Sequence, residues 1–452
     1  MIDEISAVER RALEALDVDG LVELLRDLMA IPSLDGAETA AQRRVASWME
    51  TEGFETDVWS IDLEELARHP EWCHEVERDE ALGVVGWIGE PASRGASQWG
   101  GRDLLLNGHI DVVPAGDEAA WTGAPWDPHV RDGRVYGRGA ADMKGGLCCA
   151  LFAAKALRDA EVRLRGRLNV TSVVGEEDGG TGTLATLLRG HAADGAVVME
   201  PTRLHVVSAH AGSLMFRLVV HGRSAHGCVR EEGVSAVEEF MPVLVALRQL
   251  EAERCGVSAA APGVQDGQAV APGGARVAGD PSSPLFAGYR LPWPIEIGTV
   301  HAGDWASSVP DTLVAEGRYG VAVGEDVAAA KRVFEEAIAR AATADRWLAA
   351  HPPEVEWWGG RFDPATTDPE DPIVTAVSAA ATAVTGVPPP LEGVTYGSDA
   401  RLLVTVGRIP TVLFGPGDVH VAHMPDEYVS LTDLETAARC LVVAATRFCG
   451  AG

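Results

Sequence analysis

Leu21, Leu24, Leu25 and Leu28 recur at the three- and four-residue spacing that lays one apolar stripe along a helix. Ala37 to Glu52 repeats the pattern and stops at Gly53, so residues 1–58 read as helical. Residues 59–103 read as a mixed, loop-rich stretch. From residue 104 short apolar runs alternate with helical segments, the texture of an α/β fold. Four of these runs end alike. Leu104-Leu105-Leu106 passes through Asn107-Gly108 to His109-Ile110-Asp111. Leu168 to Val174 passes through Gly175 to Glu176-Glu177-Asp178. Ala196-Val197-Val198-Met199 stops at Glu200, and Thr411-Val412-Leu413-Phe414 runs into Gly415-Pro416-Gly417 and on to His420 and His423. Open α/β sheets build their sites at the carboxyl ends of strands, so these endings are expected to converge.

Residues 210–360 differ. Leu214 to Val220 and the positions Thr299, Val309, Leu313 and Val314 suggest strands, while Val234 to Glu251 and Asp326 to Ala341 read as amphipathic helices. With a Gly/Pro/Ala-rich loop over 258–284 between them, two strand-helix patterns suggest a small α+β unit inserted into a larger domain.

Composition narrows the class. The 452 residues carry 67 acidic against 37 basic side chains, a formal charge of −30, which argues against nucleic acid and anionic membranes as partners. The seven cysteines are odd in number and never spaced CxxC, as expected of free thiols in the cytoplasm. Met1-Ile2-Asp3-Glu4 lacks the basic and apolar regions of a signal peptide, and no apolar run is long enough to span a bilayer. Gly137-Arg138-Gly139 fails as a dinucleotide fingerprint because its sixth position is Asp142, and His74-Glu75 fails as a zincin because its fifth is Arg78. Neither a Walker lysine motif nor a G-x-S-x-G elbow occurs.

What remains is a set of metal-binding residue types. His109 and Asp111 alternate at a strand end, where the carboxylate can steady the imidazole. Asp142 lies in a glycine-dense loop before a helical stretch (147–158), where it is either an N-cap or a carboxylate shared by two cations. Glu176-Glu177 pairs two carboxylates that repel, which suits either a solvated loop or a metal ligand beside a general base. Glu200 could simply begin a turn with Pro201. His423 is set apart by Gly415-Pro416-Gly417 before it and Pro425-Asp426-Glu427 after it.

Taken in order, the segments GHIDVVPAG (108–116), GRGAADMKGG (137–146), GEED (175–178), MEPT (199–202), GRSAHG (222–227), YGSDAR (396–401), FGPG (414–417) and AHMPDEYV (422–429) resemble the co-catalytic zinc aminoacylase/carboxypeptidase family, which includes acetylornithine deacetylase and succinyl-diaminopimelate desuccinylase. The resemblance implies an α/β catalytic domain, residues 1–209 and 361–452, with a mostly parallel sheet and helices on both faces. It implies an inserted α+β lid, 210–360, that makes a homodimer. It implies two Zn2+ ions, with Co2+ or Mn2+ as substitutes. His109, Asp142 and Glu200 would hold one ion; Asp142, Glu177 and His423 would hold the other. Asp111 would orient His109, Glu176 would be general base and then acid, and His226 would stabilise the oxyanion, reaching the partner's site. A cis peptide after Asp142 is also implied.

Two positions depart from the family pattern. Ser307 stands where many relatives carry Asn, and Gly320 where many carry the arginine that grips a substrate carboxylate. Arg318, two residues earlier, is the nearest candidate to replace it, and Arg401 is another. The expected activity is hydrolysis of a small N-acyl amino acid or amine, in the manner of acetylornithine deacetylase. The alternatives are a dipeptidase or carboxypeptidase, an N-deformylase of a heterocyclic amine, and a catalytically silent binding protein. A redox role for Cys148-Cys149 is disfavoured, because adjacent cysteines strain a disulfide.

Overall fold

A computed structural model describes residues 4–92, 101–257 and 283–451, so the loop expected over 258–284 lies outside the described residues up to 282. The chain forms two compact units. The first is Met1–Ser208, Thr366–Glu392 and Ser398–Gly452; the second is Ala209–Ala365 with Gly393–Gly397.

In the first unit the leucine stripe forms the helix Val18–Met29, capped by Asp17, with Leu21, Leu24, Leu25 and Leu28 buried. A further helix, Thr39–Thr51, follows. Helix does not persist to residue 58. After Gly53 the chain extends into the strand Glu55–Ser60, antiparallel to Leu82–Ile88. The latter strand sits inside the stretch expected to be loop-rich. Its middle residues are buried on both faces, so no alternation of polar and apolar residues marks it in the sequence.

Among the described residues these strands belong to a nine-stranded sheet. Its order begins Glu55–Ser60, Leu82–Ile88, Leu168–Val173, Leu104–His109, Gly195–Val198, Thr411–Leu413, Val206–His210. The four central strands run parallel to one another. They are the four apolar runs whose endings carry the chemistry. Helices cover both faces. On one, Leu147 of the helix Gly145–Asp159 fills the space over Gly108. On the other, Asn107 Nδ2 donates to Thr183 Oγ1 of the helix Thr181–Leu188.

The second unit is a four-stranded antiparallel sheet in the order Ile295–Ala302, Thr312–Val321, Gly212–His221, Glu354–Phe362. Val309 lies outside the strands, and the fourth strand was not anticipated. The helices Ala236–Cys255 and Val327–Ala344 start at N-caps Ser235 and Asp326, which accept from Glu238 N and Ala329 N. They pack on the face that carries Phe216, Leu218, Val220, Leu313 and Tyr319, enclosing Phe240, Val243, Leu247, Phe334 and Ile338.

Candidate active site

The parallel strands deliver their carboxyl-terminal residues to one place. His109 is the last residue of its strand and is buried. Glu176 and Glu177 follow the turn after Val173, Glu200 follows Met199, and His423 lies beyond Leu413 in the left-handed region, φ +60°. A non-glycine residue there is held by its surroundings at a cost, a common sign of function. Asp142 lies just before the helix Gly145–Asp159, and the Asp142–Met143 peptide is cis. This helix can approach the Glu200 turn only because Gly146 has no side chain; a Cβ there would be 2.2 Å from Met199 O.

Asp142 spans the two imidazoles. His109 Nε2 is 3.2 Å from its Oδ1, and His423 Nε2 is 3.3 Å from its Oδ2. His423 Nε2 is also 3.0 Å from Glu177 Oε1. Donor atoms of His109, Asp142 and Glu177 lie within 4.8 Å of one another, and so do those of His109, Glu176 and Glu200. Glu176 thus shares the His109–Glu200 corner of the cluster. Asp111 Oδ2 accepts from Glu177 N at 3.0 Å.

These groups do not balance electrically. Burial, then the neighbouring Glu200, pushes the Glu176 carboxyl well above its ordinary range; burial and Asp142 do the same to Glu200. Burial would raise Asp142 too, but the two imidazoles on its oxygens hold it below the usual carboxylate range. Burial opposes charge on His423, yet Asp142 and Glu177 lift it to about 11. His109 makes the problem explicit. Its Nδ1 is 3.0 Å from the Asp111 carbonyl, which can only accept, so the proton sits on Nδ1. A neutral ring then turns the Nε2 lone pair toward an oxygen lone pair of Asp142. Something positive must lie between them, either a second ring proton or a metal ion. Imidazole and carboxylate donors in this number suit a divalent cation with open positions, so the residues present fit such a centre.

Several supporting residues escaped the sequence reading. Glu427 Oε1 accepts from the backbone N–H of Ala141 (2.9 Å) and Asp142 (3.2 Å), while Oε2 accepts from Arg138 Nη1 at 2.6 Å. Its place in Pro425-Asp426-Glu427 was the available signal. Thr183 Oγ1 passes a hydrogen bond from Asn107 to Asp399, whose carboxyl burial lifts to about 6. Arg78 grips Asp178 with both oxygens engaged, at 2.8 and 2.9 Å. No motif contains Arg78.

The residues expected to bind substrate are placed differently. Arg401 is fully buried and donates from Nη2 to the carbonyls of Gly179 (2.7 Å) and Glu71 (3.4 Å), so it ties two loops together. Arg318 is half-buried, donates to Thr395 O at 3.1 Å, and has its pKa lowered by burial. His226 and Ser307 are in the second unit, where Gly227 N donates to Ser307 O at 2.7 Å and His226 is exposed. Cys148 and Cys149 are buried thiols whose pKa burial pushes up, and neither forms a disulfide.

Residues 105–447 match the profile of peptidase family M20/M25/M40. The chain belongs to this family. An N-formyl-4-amino-5-aminomethyl-2-methylpyrimidine deformylase of Bacillus subtilis is 30% identical over 353 residues, 73% of this chain and 76% of that protein. An acetylornithine deacetylase of Klebsiella pneumoniae is 25% identical over 453 residues, 95% of this chain and 97% of that protein. A solved dipeptidase of Saccharomyces cerevisiae has the same fold, with TM-score 0.72 at 14% identity over 99% of each chain. The family is metal-dependent, and this member is a hydrolase acting on amide bonds. No helix among the described residues is long and apolar enough to cross a membrane.

Proposed function

We propose that the protein is a di-zinc N-deacylase that removes a short acyl group, formyl foremost, from a small amine with no carboxylate beside the scissile bond. His109, Asp142 and Glu200 would hold one ion, and Asp142, Glu177 and His423 the other. Bound there, the ions would supply Lewis acidity, polarising the acyl carbonyl and making water acidic near neutral pH. The remaining work belongs to the chain. Glu176 takes a proton from the attacking water, and its raised pKa suits it to keep that proton until the C–N bond breaks. It then gives the proton to the leaving nitrogen, so water and amide become carboxylate and amine. Asp111 fixes the His109 tautomer through its carbonyl and anchors the Glu177 backbone through its side chain.

One observation carries the substrate reading: Arg401, one of the two candidates to grip a carboxylate, is fully buried and donates to the carbonyls of Gly179 and Glu71. Gly320 offers no side chain in its place. The Bacillus subtilis relative, named as a deformylase of an aminomethylpyrimidine, supports the same choice.

A homodimer through the second unit belongs to the proposal, with His226 serving the partner's oxyanion. It is supported by exposed Val237, Met241 and Val245 at four-residue steps on one helix, and by exposed Val300 on an edge strand. Free cysteines throughout support a reducing cytoplasm.

The test is a panel of N-formyl, N-acetyl and N-succinyl amines and amino acids plus dipeptides, with zinc or cobalt restored and Glu176→Gln as blank. Faster turnover of an N-formyl aminomethyl heterocycle than of any N-acyl amino acid is expected. The reverse order would return the substrate to the acetylornithine type.

A further inference from the structure

Glu176 and Glu177 ride on a loop that opens with Gly175 in the left-handed region, φ +65°. Such a loop has no side chain of its own to hold its first residue. A neighbour fills that place: a Cβ built on Gly175 would lie 2.5 Å from Arg78 Nη2. The Arg78 side chain is 3% exposed. Its Nη1 and Nη2 donate to the two oxygens of Asp178, the residue after Glu177. Its Nε and Nη2 donate to Glu38 Oε1 at 3.2 and 3.0 Å, and Nη2 also faces Asp35 Oδ1 at 3.4 Å. Asp178 Oδ2 in turn accepts from Glu75 N and Val76 N. One guanidinium therefore joins three chain segments: the start of the helix Thr39–Thr51, the strap 75–78, and the loop bearing both glutamates.

We propose that Arg78 is a positioning residue of the reaction, setting Glu176 and Glu177 through Asp178 and by filling the space that a side chain at Gly175 would take. The Asp111 bond to Glu177 N fixes one side of the loop; Arg78 fixes the other. The planar fork matters, because two parallel bonds set an angle as well as a distance, which a lysine cannot do. A displacement on the order of 1 Å at a reacting group is enough to lose about 100-fold in rate.

This inference rests on the proposed roles of Glu176 and Glu177. It is tested with the full-length enzyme loaded with Co2+, reading cobalt bound per chain, its visible absorption, thermal unfolding, and kcat and KM separately. Arg78→Lys keeps the charge and should lower kcat by about 10- to 100-fold, with KM within about two-fold and a changed cobalt spectrum. Asp178→Asn leaves Arg78 in place and should reproduce that loss. The double variant should be no worse than either single one, since both break the same link.

Wild-type kcat and spectrum in Arg78→Lys would overturn the proposal. A loss that only tracks the unfolded fraction would do so as well, as would a raised KM at unchanged kcat or strictly multiplicative losses in the double variant. Wild type that binds two cobalt ions but turns over nothing sinks the deacylase reading instead, and the spectra of the variants still decide this one.

Discussion

Two buried charge clusters, one in each unit, are built in opposite ways. In the second, Arg254 Nη1 and Nη2 each donate to one oxygen of Glu325 at 2.7 Å, and Nη2 also donates to Gly320 O at 3.0 Å. Glu325 accepts in addition from Ala322 N, and the guanidinium lies 4.7 Å from the Tyr319 ring centroid. One cation meets one anion in fork geometry, and nothing more is required. In the first unit Asp142, Glu176, Glu177 and Glu200 face two imidazoles, and burial lifts the carboxyls of Glu176 and Glu200 well above their ordinary range. A balanced buried pair specifies a fold. An unbalanced cluster is complete only with something the chain does not carry, which is why it marks the site.

The comparison is sharpened most by removing the proton carrier. Glu176→Gln should lower kcat by about 10²- to 10⁴-fold while metal analysis still finds two ions per chain. Retained turnover on an identified substrate would break the assignment of roles within the cluster.

Next in size, Arg254→Met leaves Glu325 buried without its partner and should cost about 3–5 kcal/mol of stability in denaturant unfolding. Removing both charges together, Arg254→Met with Glu325→Leu, should recover part of that loss. Activity per folded molecule should hold, because the pair does structural work alone. A chelator applied to wild type should do the reverse: turnover disappears, and the unfolding temperature falls and then returns when zinc is restored. His423→Ala should weaken one ion and leave the other, read as cobalt bound per chain. If chelation changes neither melting nor activity, the unbalanced cluster has another purpose.

Much of this was legible in the sequence because the chemistry sits where strands end. The runs before His109, Glu176, Glu200 and His423 are the four parallel central strands. The strand Leu82–Ile88 was missed because its middle residues are buried on both faces, which removes the alternation that betrays a half-buried strand. Arg401 stands in a motif, and only the fold reveals that it is buried with Nη2 donating to Gly179 O and Glu71 O. Arg78 gave no signal at all. Its partners Glu38 and Asp178 are 40 and 100 residues away, and long-range ion pairs leave no local pattern.

The smallest effect tests how far the charge excess reaches. Asp35 borders the cluster through Arg78. Burial first, then the negative charge of Asp111, Asp178 and Glu177, lifts its carboxyl from an ordinary 3.8 to about 9. The folded chain thus holds a proton that the unfolded chain releases near pH 4, and the associated stability is lost as pH rises through about 9. The unfolding midpoint of wild type should therefore drop between about pH 7 and pH 9.5 by more than that of Asp35→Asn, which has no proton to lose. Cations bound at the cluster offset the negative charges that raise Asp35, so the contrast should be larger in chelated protein than in zinc-loaded protein. Equal slopes for the two proteins in both states would confine the imbalance to the metal-binding cleft and leave the Arg78 cluster as electrically self-contained as Arg254 and Glu325.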